Sequence, residues 1–207
     1  MSRTASIMLP LGTSLPDFDL EVVLGTKWSE KYEKNDLLKI SNQMLVGKKP
    51  ILIMFICAHC PFVKHVELEI TKLDKDYAEN IQMFAISSNS LITHPQDGAE
   101  FLARQANLYG WSFPYLMDSD QCFAKALHAA CTPDFFLFSS ANNAFHQLEY
   151  RGQLDASRPG NGIPVSGQDL RAALNLVLNG QKVLKEQKPS IGCNIKWHPG
   201  KEPHWFG

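Results

Sequence analysis

Cysteine is scarce in this chain, with five residues in 207, and the number is odd. A sparse, odd set excludes a disulfide-stapled scaffold of the secreted type. Net charge is nearly absent too: 20 basic and 21 acidic side chains leave a formal charge of −1. There is no basic run and no interleaving of basic and aromatic residues, so nothing points to nucleic acid. Long apolar runs are missing, which argues against a membrane-spanning helix. Residues Met1 to Pro10 carry one Arg3 and only a short apolar patch. They lack the sustained hydrophobic stretch of a secretory signal, so the expected location is the cytoplasm. Repeats and low-complexity tracts are absent as well. A length of 207 residues suits a single domain, 1–207, with a core over about 15–180 and a tail over about 181–207.

What is present centres on Cys57-Ala58-His59-Cys60, followed at once by Pro61. Upstream, Ile51 to Ile56 is an uncharged apolar stretch that reads as a buried strand. Downstream, Val63, Val66, Ile70, Leu73 and Tyr77 recur at helical spacing, with Lys64, Glu67, Lys72 and Lys75 between them. Two cysteines therefore sit at a strand-to-helix joint, where α/β folds place their chemistry.

The rest of the chain alternates. Leu15 to Leu20 reads as an entry strand, and Asn35 to Leu45 as a short helix ended by Gly47. Ile81 to Ser87 reads as a strand, and Gly98 to Tyr109 as a helix. Phe113 to Met117 reads as a short edge strand. Asp118-Ser119-Asp120 offers capping residues for a helix through Ala130. Cys131-Thr132-Pro133 precedes Asp134 to Phe138, which pairs as a hairpin with Phe145 to Tyr150. Ser157 to Gly167 reads as a loop, and Gln168 to Leu178 as a helix stopped by Gly180. From Lys182 the periodicity fades, and an extended or partly disordered tail is expected. The predicted class is α/β, a central mixed β-sheet flanked by helices on both faces, with an N-terminal extension and a C-terminal tail.

The joint also predicts which sulfur is the more acidic. Proline is favoured at the first helical position, and the residue before it is pushed out of helical geometry. That makes Cys60 the N-cap. A thiolate there meets unpaired amides and the positive end of the helix dipole, worth about 0.3–1 kcal/mol. Cys60 is then the nucleophile and Cys57 its resolving partner.

These residues resemble the thioredoxin-like superfamily. The resemblance is carried by the C-x-x-C pair at the joint and by Thr132-Pro133 just before a strand. Pro16-Asp17-Phe18-x-Leu20 is similar to the opening of the peroxiredoxin and alkyl-hydroperoxide-reductase branch. Three segments resemble a group of peroxiredoxin-like thioredoxin-family proteins: Cys57 to His65, Cys131 to Phe138, and Ile191 to Trp197. The resemblance implies a thioredoxin-like fold, a cis-proline at Pro133 facing the cysteines, and a redox-active cysteine pair. It leaves the order of attack open. Counted back from the helix, Cys60 falls on the first thioredoxin cysteine and Val63 on the second; taken as a plain C-x-x-C, Cys57 is first.

The leading expectation is a thiol-disulfide oxidoreductase with Cys60 and Cys57 catalytic, shaped by His59, Pro61, Thr132 and Pro133. Protonated His59 would favour the thiolate. The Thr132 backbone would offer an edge to an extended partner chain. Cys131 and Cys193 are candidates for further redox thiols, whereas Cys122 reads as a helix-core thiol and His65 as a surface residue. The alternative is a thiol peroxidase with Cys60 peroxidatic and Cys57 resolving. Against it, the strand at Asp134 to Phe138 lacks the arginine of that branch, and Arg151 and Arg158 are the nearest. A minor alternative is a metal-binding module using Cys57, His59, Cys60 and Cys131. No cofactor is called for. The expected partners are a protein or small-molecule disulfide, or a peroxide, and a thiol electron donor; homodimerisation is left open.

Overall fold

The computed structural model describes residues 3–32, 39–45, 49–139 and 146–206. Its main sheet is built around β4 (Ile51–Phe55), whose residues are all buried. Successive side chains of a strand point to opposite faces. Leu52 and Met54 therefore join one hydrophobic cluster, and Ile51, Ile53 and Phe55 the other. β8 (Asp134–Phe138) divides the same way, with Phe135 and Leu137 on one side and Phe136 and Phe138 on the other. An apolar run without alternation is what a strand covered on both faces requires.

After the short helix α1 (Lys27–Tyr32), β4 leads into α2 (Pro61–Tyr77) and back into β5 (Gln82–Ser87), which lies parallel to β4. α3 (Ala99–Tyr109) then returns to β6 (Tyr115–Met117), parallel to β5. β8 and β9 (Leu148–Gly152) are antiparallel, with a register shift at Leu137/Phe138. The expected turn between them, and Phe145, lie largely outside the described residues. α2, α3 and α5 (Gln168–Leu178) cover one face through Val63, Ile70, Leu73, Leu102, Ala106, Leu170 and Leu174. The other face is closed by α4 (Cys122–Ala126), through Phe123 and Ala124, and by both chain ends, through Leu9, Ile195 and Trp197. Among the described residues, no helix is long and apolar enough to cross a membrane.

Several sequence expectations need correction. Of the helix expected over Asn35 to Leu45, residues 35–38 and its stop Gly47 lie outside the described residues. Lys39–Ser41 is instead a strand, β3, followed by a 3-10 turn at Asn42–Met44. β3 pairs with β2 (Asp19–Val22), and Ile40 faces Leu20 across the ladder. β6 is no edge: the sheet order is β3-β2-β6-β5-β4-β8-β9, with β2 and β3 added outside it. The helix expected through Ala130 is only five residues long and ends at Ala126, because His128 turns to φ 51. Its start is capped as expected: the Asp118 carboxylate accepts the Phe123 and Ala124 amides, and Asp120 accepts that of Cys122.

The weakly periodic ends also fold. β1 (Arg3–Ala5) and β7 (Cys131–Thr132) flank β10 (Ile191–Asn194) in a small antiparallel sheet, β1-β10-β7. This sheet sits beside the cysteine joint. Trp197 is 5% exposed, so part of the tail belongs to the core.

Candidate functional site

Cys60 is the N-cap of α2, with φ −70 and ψ 124, and Pro61 is the first helical residue. Cys57 precedes it in the loop leaving β4. Among the described residues, which include all five cysteines, none is joined in a disulfide. The Thr132–Pro133 peptide is cis. Thr132 faces both sulfurs of the loop: its carbonyl oxygen lies 3.3 Å from Cys60 Sγ, and its hydroxyl 3.6 Å from Cys57 Sγ. A third sulfur completes the group, for Cys193 Sγ on β10 is 2.8 Å from Cys60 Sγ.

This packing sets the acidities. Hydrogen bonds from the Cys193 and Cys57 thiols lower the Cys60 pKa to about 2, against the opposing effect of burial, with smaller help from Thr132 and the Val63 amide. The residue order alone points to the helix terminus as the cause. The Val63 amide of the first helical turn ranks behind both thiols, so the neighbouring thiols act first and the helix second. The same hydrogen bond to Cys60, reinforced by burial and the Asp97 charge, raises Cys57 well above an ordinary thiol. Cys193 is raised by its bond to Cys60 and by burial.

The loop between the sulfurs is held by a residue that sequence reasoning misses. Asp97 is wholly buried, and its Oδ1 accepts the Ala58 and His59 amides at 3.0 and 3.2 Å. Its Oδ2 accepts from His59 Nδ1 at 2.6 Å and from Asn89 Nδ2 at 2.8 Å. Burial alone would raise this carboxyl; the His59 and Asn89 hydrogen bonds outweigh it and hold the pKa low. His59 is thus an anchored, partly buried partner of Asp97 rather than a solvated loop residue, and its Nδ1 is 3.9 Å from Cys57 Sγ. Behind the loop, Gln105 donates to the Cys57 carbonyl and to the buried Glu67, while Tyr115 donates to Gln105. In the sequence Glu67 reads only as one of the charged residues spacing the apolar face. Neither Asp97 nor Gln105 carries a local sequence signal, because each meets the loop only through the fold.

The remaining candidates divide. Cys131 is buried, with Sγ 3.9 Å from the Pro133 carbonyl, and burial raises its pKa well above normal. Cys122 is exposed, not a core thiol, because α4 turns it outward. His65 is half-buried rather than a surface residue, and its Nε2 meets Ser157 Oγ at 2.7 Å. Arg151 donates to the Leu9 carbonyl and to Gln187. Arg158 donates to the Asp155 and Ser157 carbonyls and to Gln153. For a metal, the ligand atoms that come within 4.8 Å of one another are those of Cys57, His59 and Asp97, not the set with Cys60 and Cys131. The Asp97 oxygens in that group already accept four hydrogen bonds.

The sulfurs themselves are covered: Cys57, Cys60 and Cys193 are 1%, 0% and 2% exposed. Ala58 and His59 reach the surface, where they border an open groove of about 500 Å³ with Lys64, Phe101 and Arg104.

Comparison with known proteins agrees with this architecture. A crystal structure of an uncharacterized conserved protein from Geobacillus kaustophilus is 43% identical over 97% of this chain and 98% of its own, with a TM-score of 0.85. A hypothetical protein from Sinorhizobium meliloti 1021 is 39% identical over 95% of this chain and all of its own, with a TM-score of 0.83. A thioredoxin-like protein solved in its oxidized form, 20% identical over 69% of this chain and 86% of its own, shares the fold at a TM-score of 0.54. No curated protein sequence matches significantly. Residues 10–157 match the Redoxin family. The chain therefore belongs to the Redoxin family and has its thioredoxin-like fold, which makes it a thiol-dependent redox enzyme of the oxidoreductase or peroxidase kind.

Proposed function

We propose that the protein is a thiol-disulfide oxidoreductase in which Cys60 attacks and Cys57 resolves. The observation that carries this reading is the place of the Cys60 sulfur, at the N-cap of α2 and 2.8 Å from Cys193 Sγ, where the neighbouring thiols favour its ionised form. The thiolate is the attacking form in thiol-disulfide exchange. It displaces one sulfur of a substrate disulfide and forms a mixed disulfide. Cys57, relieved of the negative charge beside it, then ionises more easily and attacks Cys60 Sγ. That step releases the second substrate thiol and leaves a Cys57–Cys60 disulfide, which a thiol donor reduces to restart the cycle.

Exchange is favoured over peroxide reduction because Arg151 and the two terminal nitrogens of Arg158, the nearest arginines in sequence, are taken by backbone carbonyls and glutamines. The test compares turnover of a protein disulfide and of a hydroperoxide by the wild type, Cys60→Ser and Cys57→Ser. The wild type should reduce the disulfide faster. Cys60→Ser should lose the activity, and Cys57→Ser should form no Cys57–Cys60 disulfide and turn over more slowly than the wild type. Full disulfide reductase activity in both variants would reject the reading.

A further inference from the structure

The edge of Thr132 that an extended partner would use is already filled. β10 pairs antiparallel with β7, Cys193 opposite Thr132 and Asn194 opposite Cys131. On its other side β10 carries β1, so the strand is held from both edges. Gly192 permits the close fit: a Cβ there would stand 2.0 Å from the Thr132 carbonyl oxygen. The Ile195 amide donates to the Ala130 carbonyl, and the Ser90 amide and Gln121 side chain donate to the Lys196 carbonyl. The chain's own strand thus occupies the position of a bound peptide, and its cysteine lies 2.8 Å from the sulfur that would attack such a peptide.

We propose that β10 is a tethered partner strand and that Cys193 is a second resolving thiol for Cys60. The proposal rests on the reading that Cys60 attacks. The Cys60 thiolate attacks a disulfide R–S–S–R, forming the Cys60–S–R bond and releasing RS⁻. That RS⁻ takes the proton of the Cys193 thiol and leaves as RSH. The Cys193 thiolate attacks Cys60 Sγ, the Cys60–S–R bond breaks, and the second RS⁻ is released. The protein gains one Cys60–Cys193 disulfide, its two sulfurs giving two electrons to the substrate disulfide. Cys57 competes for the same sulfur from the loop side, and Cys193 can also attack a Cys57–Cys60 disulfide, returning the thiolate to Cys57 with no net redox change.

The test uses the full chain, hydroxyethyl disulfide as oxidant, rapid alkylation of remaining thiols, and peptide mapping without reduction. In Cys57→Ser, most oxidised molecules should carry the Cys60–Cys193 bridge. In Cys57→Ser/Cys193→Ser, oxidation should stop at a mixed disulfide on Cys60. The wild type, which needs no substitution to fold, should yield some Cys60–Cys193-linked peptide beside Cys57–Cys60. If Cys57→Ser accumulates the Cys60 mixed disulfide with Cys193 alkylated, and the wild type yields only Cys57–Cys60, the proposal fails while Cys60 remains the attacking thiol. If the double variant gains no adduct on Cys60, the reading beneath it fails as well.

Discussion

At Asp97 four donors meet one carboxylate that is closed off from water: two loop amides, the His59 ring and the Asn89 amide. Removing that acceptor leaves buried donors unpaired, which costs about 1.5–3 kcal/mol for hydrogen bonds to a charged group. Asp97→Asn should therefore lower unfolding stability by about 2 kcal/mol in urea titrations at neutral pH. The sign in acid follows from the lowered carboxyl. Its contribution is present above the ordinary carboxylate range and lost as the folded group protonates below it, so the two stability curves should converge as pH falls. A difference under about 0.5 kcal/mol at neutral pH would show that the loop is held otherwise. Single residues are legible in the sequence where their chemistry is local. Pro61 marks Cys60 as the N-cap through rules that involve only adjacent residues, and the backbone agrees. Asp97 is not legible, because it comes from beyond β5 and nothing in its neighbourhood distinguishes it from a surface loop aspartate.

Among the elements, α2 and α5 are readable because each presents a sustained apolar stripe. Short elements are not. β3 has three residues, and its single buried side chain, Ile40, gives no period to count. The position of β6 within the sheet depends on where β2 returns, which is a matter of topology. β10 is the element with most consequence for the thiols, since its pairing with β7 covers Cys60. Gly192→Ala puts a methyl against the Thr132 carbonyl, an oxygen of the backbone that cannot swing aside. The variant should lift β10, raise the alkylation rate of Cys60 by at least about tenfold, and lose about 1–3 kcal/mol of stability. An unchanged alkylation rate in a folded variant would show that β10 is not the cover.

Across the whole molecule, the two chain ends meet at the site: β1 and β10 pair beside the cysteine joint, and Leu9 and Trp197 enter one core cluster. Such contacts leave no periodic trace, which is why the tail reads as loose from the sequence. Beneath this small sheet lies Asp134, completely buried, opposite Phe55 of β4. Burial pushes its carboxyl well above the ordinary range, and Ser190 and the Phe135 amide offset this only in part. The unfolded chain ionises it above about pH 4. The stability it confers is thus complete below that pH and declines as pH rises towards the folded pKa, by up to about 1.4 kcal/mol per unit. Asp134→Asn removes this titration. Denaturation at several pH values should show the variant gaining on the wild type as pH increases; parallel profiles would mean that Asp134 does not change its protonation on unfolding.

The most direct measurement of the central claim, an ionised Cys60, is the thiolate absorbance of the reduced protein during acid titration, which needs no reagent to reach the buried sulfur. An unperturbed thiol loses its charge below about pH 8.5. The account predicts a thiolate band that persists well below neutral pH in the wild type and in Cys57→Ser and is absent in Cys60→Ser. A band that survives in Cys60→Ser and vanishes in Cys57→Ser would contradict it.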